Sequence, residues 1–557
     1  MKLSTKLFLN IFIFGACALL FYGIPVDQAY LLEKSPDKVI NWVSVLPPLI
    51  VVILAFATGR IILSLFLSVV LGALISAGGH PVQMLWKTGH DYIYQSIQTQ
   101  FHLLTVFFII TMVGMVAVIS RMGGTHAIIQ ILAKRTQSHR GASLLTAIMG
   151  LLIFFDDYAN TILVGTAAQP LTDRFKVSRE KLAYLVDSTS APVAGLAVLS
   201  TWIGYEIGLF QTVLQSLGLS ISGYEAFFYA LPFRFYCVFT LVFVFLNILL
   251  QREYGGMYTA QKRALTSGKL FSDDAELKTS IAMEKTRMHK GATPKWYNAA
   301  LPLALVIGVI WVGLYWSGTQ ALNLPFQLLD LFRYDILRRC FSAADNIKIL
   351  AWGGGAGALM AMVLAMGQKI LSVKETFSTF FSSFIAILAP LAILILAWSM
   401  QNVCEDLGTS LYLTAMLKDI VNPIFVPVAI FALAGLIAFT TGTSWGTMAI
   451  LIPTAIPLTY QLGGIELTYI SMAAVLDGAI FGDHCSPVSD TTLMSSIASG
   501  CDHMHHVKTQ IPYALTCMFI ALLCGYLLSS LGVSWIFAMS LGCVAIFGVL
   551  MGFGKKI

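Results

Sequence analysis

The strongest constraint on this chain is an end-to-end recurrence of apolar segments near the length that crosses a lipid bilayer. They fall at residues 7–24, 42–58, 61–77, 103–120, 182–213, 226–250, 297–316, 346–368, 383–400, 466–500, 511–531 and 534–553. A helix needs about 20 apolar residues to cross the hydrocarbon core, with a range of roughly 17–25. Inside hydrocarbon, backbone N–H and C=O groups must be bonded internally, so a chain with segments of this length spans as helices. Composition agrees: 57% of the 557 residues are hydrophobic and only 11% are charged, against about 25% charged in soluble domains. A soluble core has no room for that much apolar sequence, whereas lipid has.

The formal charge of +6 does not point to nucleic acid, because the basic residues form short clusters between apolar runs. There they set orientation, since cytoplasmic loops carry an excess of Lys and Arg. Lys2 and Lys6 hold the N-terminus inside, and Lys508, Lys555 and Lys556 place the C-terminal part inside as well. Both termini are expected in the cytoplasm, with the chain in a bacterial inner membrane. One loop goes against the rule: Arg333, Arg338 and Arg339 fall outside, beside Asp330 and Asp335. Most of the nine cysteines lie inside apolar runs and read as buried thiols, not as a disulfide framework. The run 7–24 is long enough to span, and reads as the first transmembrane helix instead of a cleaved signal.

Two segments do not fit a simple count. Residues 141–171 are apolar but interrupted by Asp156, Asp157 and Asn160. Each apolar arm is about 14 residues, too short to span, and basic clusters flank both ends. The expectation is a re-entrant hairpin, whose tip is tolerated at membrane depth only where it lines a cavity or is covered by protein. Residues 423–460 read the same way, with Thr443, Ser444, Trp445, Gly446 and Thr447 at the tip. No Lys or Arg occurs between Asp419 and Val507, so this second hairpin opens outward.

The two hairpins belong to a repeat. Asp157-Tyr158-Ala159-Asn160 aligns with Ser444-Trp445-Gly446-Thr447, and Pro170-Leu171 then aligns with Pro457-Leu458 without a gap. Polar, proline-broken segments follow in each half, at 182–213 and 466–500. One hairpin faces in and the other out, so the repeats are inverted, an arrangement found in transporters. The expected fold is an all-α polytopic membrane protein with about 12 transmembrane segments in two inverted repeats. Its parts are N-terminal helices (1–102), a first repeat (103–250), a cytoplasmic loop (251–296) and linking helices (297–382). A second repeat (383–531) and a last helix with its tail (532–557) complete it. The stretches 125–137 and 408–418 read as interfacial arms, and loop 251–296 as partly ordered.

Ionisable residues at membrane depth are costly and default to functional candidates. Asp156 and Asp157 are neighbours at the first tip. Two carboxylates in one buried site tend to share a proton, which a cation could replace, although either Asp could instead cap the returning arm. Asn160, Thr161 and Thr166 supply oxygens of the kind a hard cation such as Na⁺ prefers. Asp187, Ser188, Thr189 and Ser190 precede Pro192, which opens a helix. Gly482 to Thr492 holds Asp483, His484, Ser486, Asp490 and Thr491; His484 is a candidate for proton transfer or simply a hydrogen-bonded buried histidine. Zinc is disfavoured, because Asp483, His484 and Cys485 are consecutive and fit one tetrahedral ion poorly. Glycine and hydroxyls at the second tip let backbone approach a ligand, and a helix starting there turns its positive end to an anion. Cys501, His503, His505 and His506 read as a solvated loop near Lys508. Gly353-Gly354-Gly355-Ala356-Gly357 reads as close helix packing. No G-x-S-x-G elbow, Walker A or H-E-x-x-H motif occurs.

Phe154-Phe155-Asp156-Asp157-Tyr158-Ala159-Asn160, Gly442-Thr443-Ser444-Trp445-Gly446-Thr447 and Gly482-Asp483-His484-Cys485-Ser486-Pro487-Val488-Ser489-Asp490-Thr491-Thr492 resemble the signatures of the NhaC-type Na⁺/H⁺ antiporter family, part of the wider ion-transporter superfamily. The resemblance runs from about Pro47 to the C-terminus. It implies inverted repeats, re-entrant hairpins, cation-coupled transport with Na⁺ and H⁺ as the ions, no cofactor and, across the superfamily, a homodimer. Members include Na⁺/H⁺ antiporters, exchangers of malate and Na⁺ for lactate and protons, and proteins proposed to move amino acids, and fold does not choose among them. Two readings therefore stand: Na⁺/H⁺ antiport, or Na⁺- or H⁺-coupled transport of a small organic acid or amino acid. The lack of Lys or Arg in the motif segments favours a bare cation or a zwitterion. An intramembrane enzyme using His484 and Cys485, or a passive channel, are the remaining readings.

Overall fold

The computed structural model describes residues 40–58, 60–127, 138–198, 200–272, 292–327, 343–418 and 420–557, with isolated positions between them. The apolar run 7–24, residues 128–137 of the first interfacial stretch, and most of 273–291 lie outside the described residues. Within them the chain is helical apart from one short strand pair.

Among the described residues, eight helices are long and apolar enough to cross a membrane, or up to ten if each of two sharply bent pairs counts as one span. The expected twelve include the run 7–24, which lies outside the described residues, and two further features lower the count. The runs 42–58 and 61–77 yield shorter helices, α1 (Leu46–Thr58) and α2 (Ile61–Ser76). Other runs are broken: 182–213 becomes α6 (Arg179–Ser188), α7 (Ala191–Leu196) and α8 (Thr201–Ser216). Pro192 lies in the first turn of α7, where a residue without an N–H is tolerated. Between α2 and α6 lie α3 (Gln100–Arg121), α4 (His139–Leu152) and α5 (Asp157–Arg174).

Helix α9 (Gly223–Ala230) leads into α10 (Phe235–Leu250) across a 48° bend. Part of loop 251–296 is ordered: strand β1 (Arg252–Glu253) and α11 (Gly255–Ser267). Strand β1 pairs antiparallel with β2 (Lys555–Lys556), so the C-terminal tail is tied to this loop. Helices α12 (Tyr297–Ala321) and α13 (Asn346–Gly367) pack at the Gly-rich run. A Cβ on Gly357 would sit 2.2 Å from a Val306 methyl, and one on Gly353 2.7 Å from Ile310. Small residues at that contact let the two backbones approach, as expected.

Helix α14 (Val373–Leu407) and α15 (Thr409–Leu417) precede the second hairpin. That hairpin is α16 (Val426–Thr441) followed by α17 (Ser444–Cys485), and α17 is itself broken at Gly464. With its short lead-in, Pro423–Thr441 is 19 residues, so this arm is longer than the first hairpin's 14-residue α4. Helices α18 (Asp490–Ser499), α19 (His503–Ile520) and α20 (Trp535–Phe553) complete the chain. Large apolar side chains such as Phe66, Trp311, Phe381, Ile385 and Phe537 are exposed on the outer helices. That surface is what a protein bathed in lipid presents.

The halves interlock. Helix α5, the returning arm of the first hairpin, packs on α18 beyond the second half's break. Its counterpart α17 packs on α7 and α8 beyond the first half's break. This reciprocal exchange is what two repeats related by a pseudo-two-fold axis produce.

Candidate functional site

Each hairpin turns at a capped helix start. Asp156 is the N-cap of α5, and its Oδ1 accepts from Ala159 N at 2.8 Å. Thr443 is the N-cap of α17, and its Oγ1 accepts from Gly446 N at 3.4 Å. The caps occupy equivalent positions in the aligned tips, so both arms point positive helix ends into the same region. The capping alternative therefore applies to Asp156, which also accepts from Thr201 Oγ1 at 3.2 Å.

Asp157 differs from its neighbour. Its side chain is 1% exposed and neither carboxylate oxygen has a hydrogen-bond partner. On the same face of α5, Asn160 Oδ1 and Thr161 Oγ1 are likewise buried and unpartnered. The Asn160 amide nitrogen donates to Gly150 O at 2.7 Å, Ile153 O at 3.1 Å and Thr189 O at 2.9 Å. One side chain thus satisfies carbonyls freed at the end of α4 and at the break after α6. Thr166 does not join this face: it donates to Ile162 O one turn back.

The second half contributes Asp483 and Asp490. Asp483 Oδ2 accepts from Ser444 Oγ at 2.8 Å and from Thr491 Oγ1 at 3.4 Å, while Oδ1 has no partner. Asp490 is exposed, and its Oδ2 accepts from the Tyr158 hydroxyl at 2.5 Å. It lies within electrostatic reach of both Asp157 and Asp483. The aromatic wall is shared too: Trp202 and Tyr205 pack on Trp445, and Tyr205 OH donates to Trp445 O at 2.6 Å.

The broken helices meet beside this cluster. Asp187 accepts from Ser495 Oγ at 3.1 Å and from Gln510 Nε2 at 2.7 Å, so both oxygens are occupied. Ser188 Oγ and His484 Nε2 are 3.0 Å apart, and His484 Nδ1 faces Tyr236 OH at 2.8 Å. His484 is therefore buried and hydrogen-bonded at both ring nitrogens. Thr189 and Ser190 hydroxyls donate to Leu185 O and Asp187 O, and Ser486 Oγ donates to Phe439 O. These hydroxyls terminate helix turns or tie α17 to α16. Thr447 Oγ1 donates to Thr443 O. The two tip glycines face protein: a Cβ on Gly446 would meet Ile61 at 2.3 Å, and one on Gly442 would meet Val488 O at 2.5 Å.

One expectation is overturned and one cluster is new. The run Cys501, His503, His505, His506 is not a solvated loop. His506 is buried in α19, its ring nitrogens facing Ser496 Oγ at 2.9 Å and Gln510 Oε1 at 2.7 Å. The i, i+4 pair His506 and Gln510 was the signal that this run is a helix with an inward face. Arg234, fully buried, donates from Nε to Asp477 Oδ1 at 2.7 Å, although no Arg or Lys lies in the motifs themselves. Arg234 and Glu206 are not among the candidates read from the sequence; their places inside the apolar runs 226–250 and 182–213 are the signal that marks them. Among the described residues, no group of three or more His, Cys, Asp or Glu side chains is placed to hold a metal ion.

Helix breaks from two interlocked halves, meeting inside a helical membrane domain and lined by carboxylates and hydroxyls, define a secondary transporter. Comparison with known proteins agrees. Residues 193–530 match the Na⁺/H⁺ antiporter family. An uncharacterised Haemophilus influenzae protein is 32% identical over 497 residues, 87% of this chain and 90% of its own length. The malate-2H⁺/Na⁺-lactate antiporter of Bacillus subtilis is 33% identical over 93 residues, 17% of this chain and 19% of its own. The Alcanivorax borkumensis YdaH transporter shares the fold at 15% identity, with a TM-score of 0.52 over 82% of this chain and 90% of that one. This chain belongs to the Na⁺/H⁺ antiporter family. It is a multi-pass membrane transporter of bacterial inner-membrane type and not an enzyme.

Proposed function

We propose that the protein exchanges Na⁺ for H⁺, with Asp157 at the centre of the exchanged site. The observation that carries this reading is the set of buried, unpartnered oxygens on Asp157, Asn160, Thr161 and Asp483. Buried polar atoms are normally hydrogen-bonded, so four side chains left with free acceptors in one region call for a cation or a proton. Hard cations take oxygen ligands of this kind. Na⁺ and H⁺ compete for the same carboxylates, so only one is carried at a time, which is the requirement for antiport. Asp187, Ser188 and His484 hold the two breaks together beside the site, and Asp490 with Tyr158 forms its exposed edge.

A second reading is supported by the likeness to the malate-2H⁺/Na⁺-lactate antiporter and by the two helix N-termini. In it a small organic anion or amino acid binds between the tips, against Trp445. One experiment separates the two. Proton release is followed with a pH-sensitive dye in everted vesicles energised by respiration, on adding NaCl, LiCl, KCl or choline chloride. Na⁺ or Li⁺ alone should release protons in the wild type and not in Asp157→Asn. Release that needs malate, lactate or an amino acid together with Na⁺ replaces the first reading with the second.

A further inference from the structure

A second buried charge cluster lies apart from the hairpin oxygens. Arg234 stands at the bend before α10, Glu206 on α8 and Asp477 on α17. Asp477 is fully paired: Oδ1 takes Arg234 Nε at 2.7 Å and Cys237 Sγ at 3.1 Å, and Oδ2 takes Tyr236 N and Tyr526 OH, each at 2.7 Å. Glu206 is not. It is 1% exposed, and its Oε1 lies 3.7 Å from Arg234 Nη1, beyond hydrogen-bonding range. Both Glu206 oxygens and Arg234 Nη1 lack a hydrogen-bond partner. Two carboxylates thus share one guanidinium, and only Asp477 is hydrogen-bonded to it. The charged groups acting on Glu206 are Arg234 and Asp477, with the Cys237 thiol and the Tyr526 hydroxyl beside them.

We propose that Glu206 is a second proton-binding site, which holds one proton in this conformation and releases it during the transport cycle. An ionised carboxylate with no hydrogen bond, and only a loose 3.7 Å ion pair to a guanidinium already held by Asp477, is costly in a membrane interior, and a proton on Oε cancels that charge. A metal cation fits poorly, because Arg234 is 3.7 Å away and repels it. The surroundings are also tight: a Cβ at Gly195 would lie 2.7 Å from both Arg234 Nη2 and Ile480 Cδ1. On release, the O–H bond breaks, the proton leaves for water, and the carboxylate charge is met by Arg234 closing the remaining gap. The parts that would move are the parts of the exchange site. Helix α8 also carries Trp202 and Tyr205, which pack on Trp445, and α17 carries Asp483 six residues beyond Asp477. Sliding α8 against α17 changes the Glu206–Arg234 distance.

The release step rests on the Na⁺/H⁺ reading, whereas the bound proton does not. Infrared spectra of the purified protein at neutral pH without Na⁺ report protonated carboxyl groups through their C=O stretch. A band lost in Glu206→Gln and kept in Asp157→Asn is expected; no loss in Glu206→Gln overturns the site. Gln replaces a protonated Glu nearly atom for atom, so Glu206→Gln should melt with the wild type, and a collapsed variant equally overturns a bound proton. In proteoliposomes, dye and ²²Na⁺ tracer together give protons moved per Na⁺. Glu206→Gln should transport with a lower ratio. An unchanged ratio overturns release. If the wild type moves no protons with Na⁺, the antiport reading fails and the release step with it, while the infrared result still decides the proton site.

Discussion

Adjacent aspartates have opposite structural duties. Asp156 spends its carboxylate on the first turn of α5 and on Thr201, while Asp157 is buried beside Trp202 with neither oxygen in a well-formed hydrogen bond. Their substitutions should therefore differ in sign. Asp156→Ala removes an N-cap, which costs about 1 kcal/mol within a range of roughly 0.5–2, and Asp156→Asn should restore most of it. Asp157→Asn removes an uncompensated acid and should leave stability unchanged or raised while abolishing Na⁺-driven proton release. Thermal midpoints in detergent, set beside vesicle transport, check both. A midpoint that drops for Asp157→Asn as far as for Asp156→Ala would mean that Asp157 is held by the fold and not by an ion.

Among the elements, the breaks matter more than the spans. Gly464 interrupts α17 at φ 69°, ψ −165°, a conformation essentially closed to other residues. No atom would obstruct an added Cβ there, so Gly464→Ala tests backbone strain alone and should cost on the order of 1–3 kcal/mol. Gly442→Ala adds a collision with Val488 O to a φ of 71°, so it should cost more and should also disable transport by shifting the second tip. Melting midpoints and vesicle flux for the two variants check the order. The breaks at Asp156, Thr443 and before Pro192 were legible because polar residues and proline interrupting an apolar run have local causes. The Gly464 break falls in the gap between the segments 423–460 and 466–500, where a Gly-Gly pair lies between Gln461 and Glu466. What the sequence did not disclose is what the inward face of α19 meets: His506 and Gln510 reach Asp187 and Ser496 only through packing between segments.

Across the whole molecule, the C-terminal tail reaches the helix carrying Asp187 through a chain of contacts. Strand β2 pairs with β1, and Glu253 of β1 forms a 3.0 Å ion pair with Lys181, both nearly buried. Tyr513 OH and Asn247 Nδ2 donate to the same carboxylate. Lys181 lies on α6, fewer than two turns before Asp187, so the pair fixes the rotation of the helix that carries Asp187. Breaking a buried pair by removing one partner leaves the other charge stranded and costs about 3–5 kcal/mol, whereas removing both charges is often close to neutral. Lys181→Met and Glu253→Gln should each lower the unfolding midpoint sharply, and the double variant should recover most of the loss. Because Gln still accepts from Tyr513 and Asn247, the double variant keeps β1 in place without the charges. If transport returns in it along with stability, the pair serves only to position α6. If stability returns without transport, the charges themselves act in the cycle.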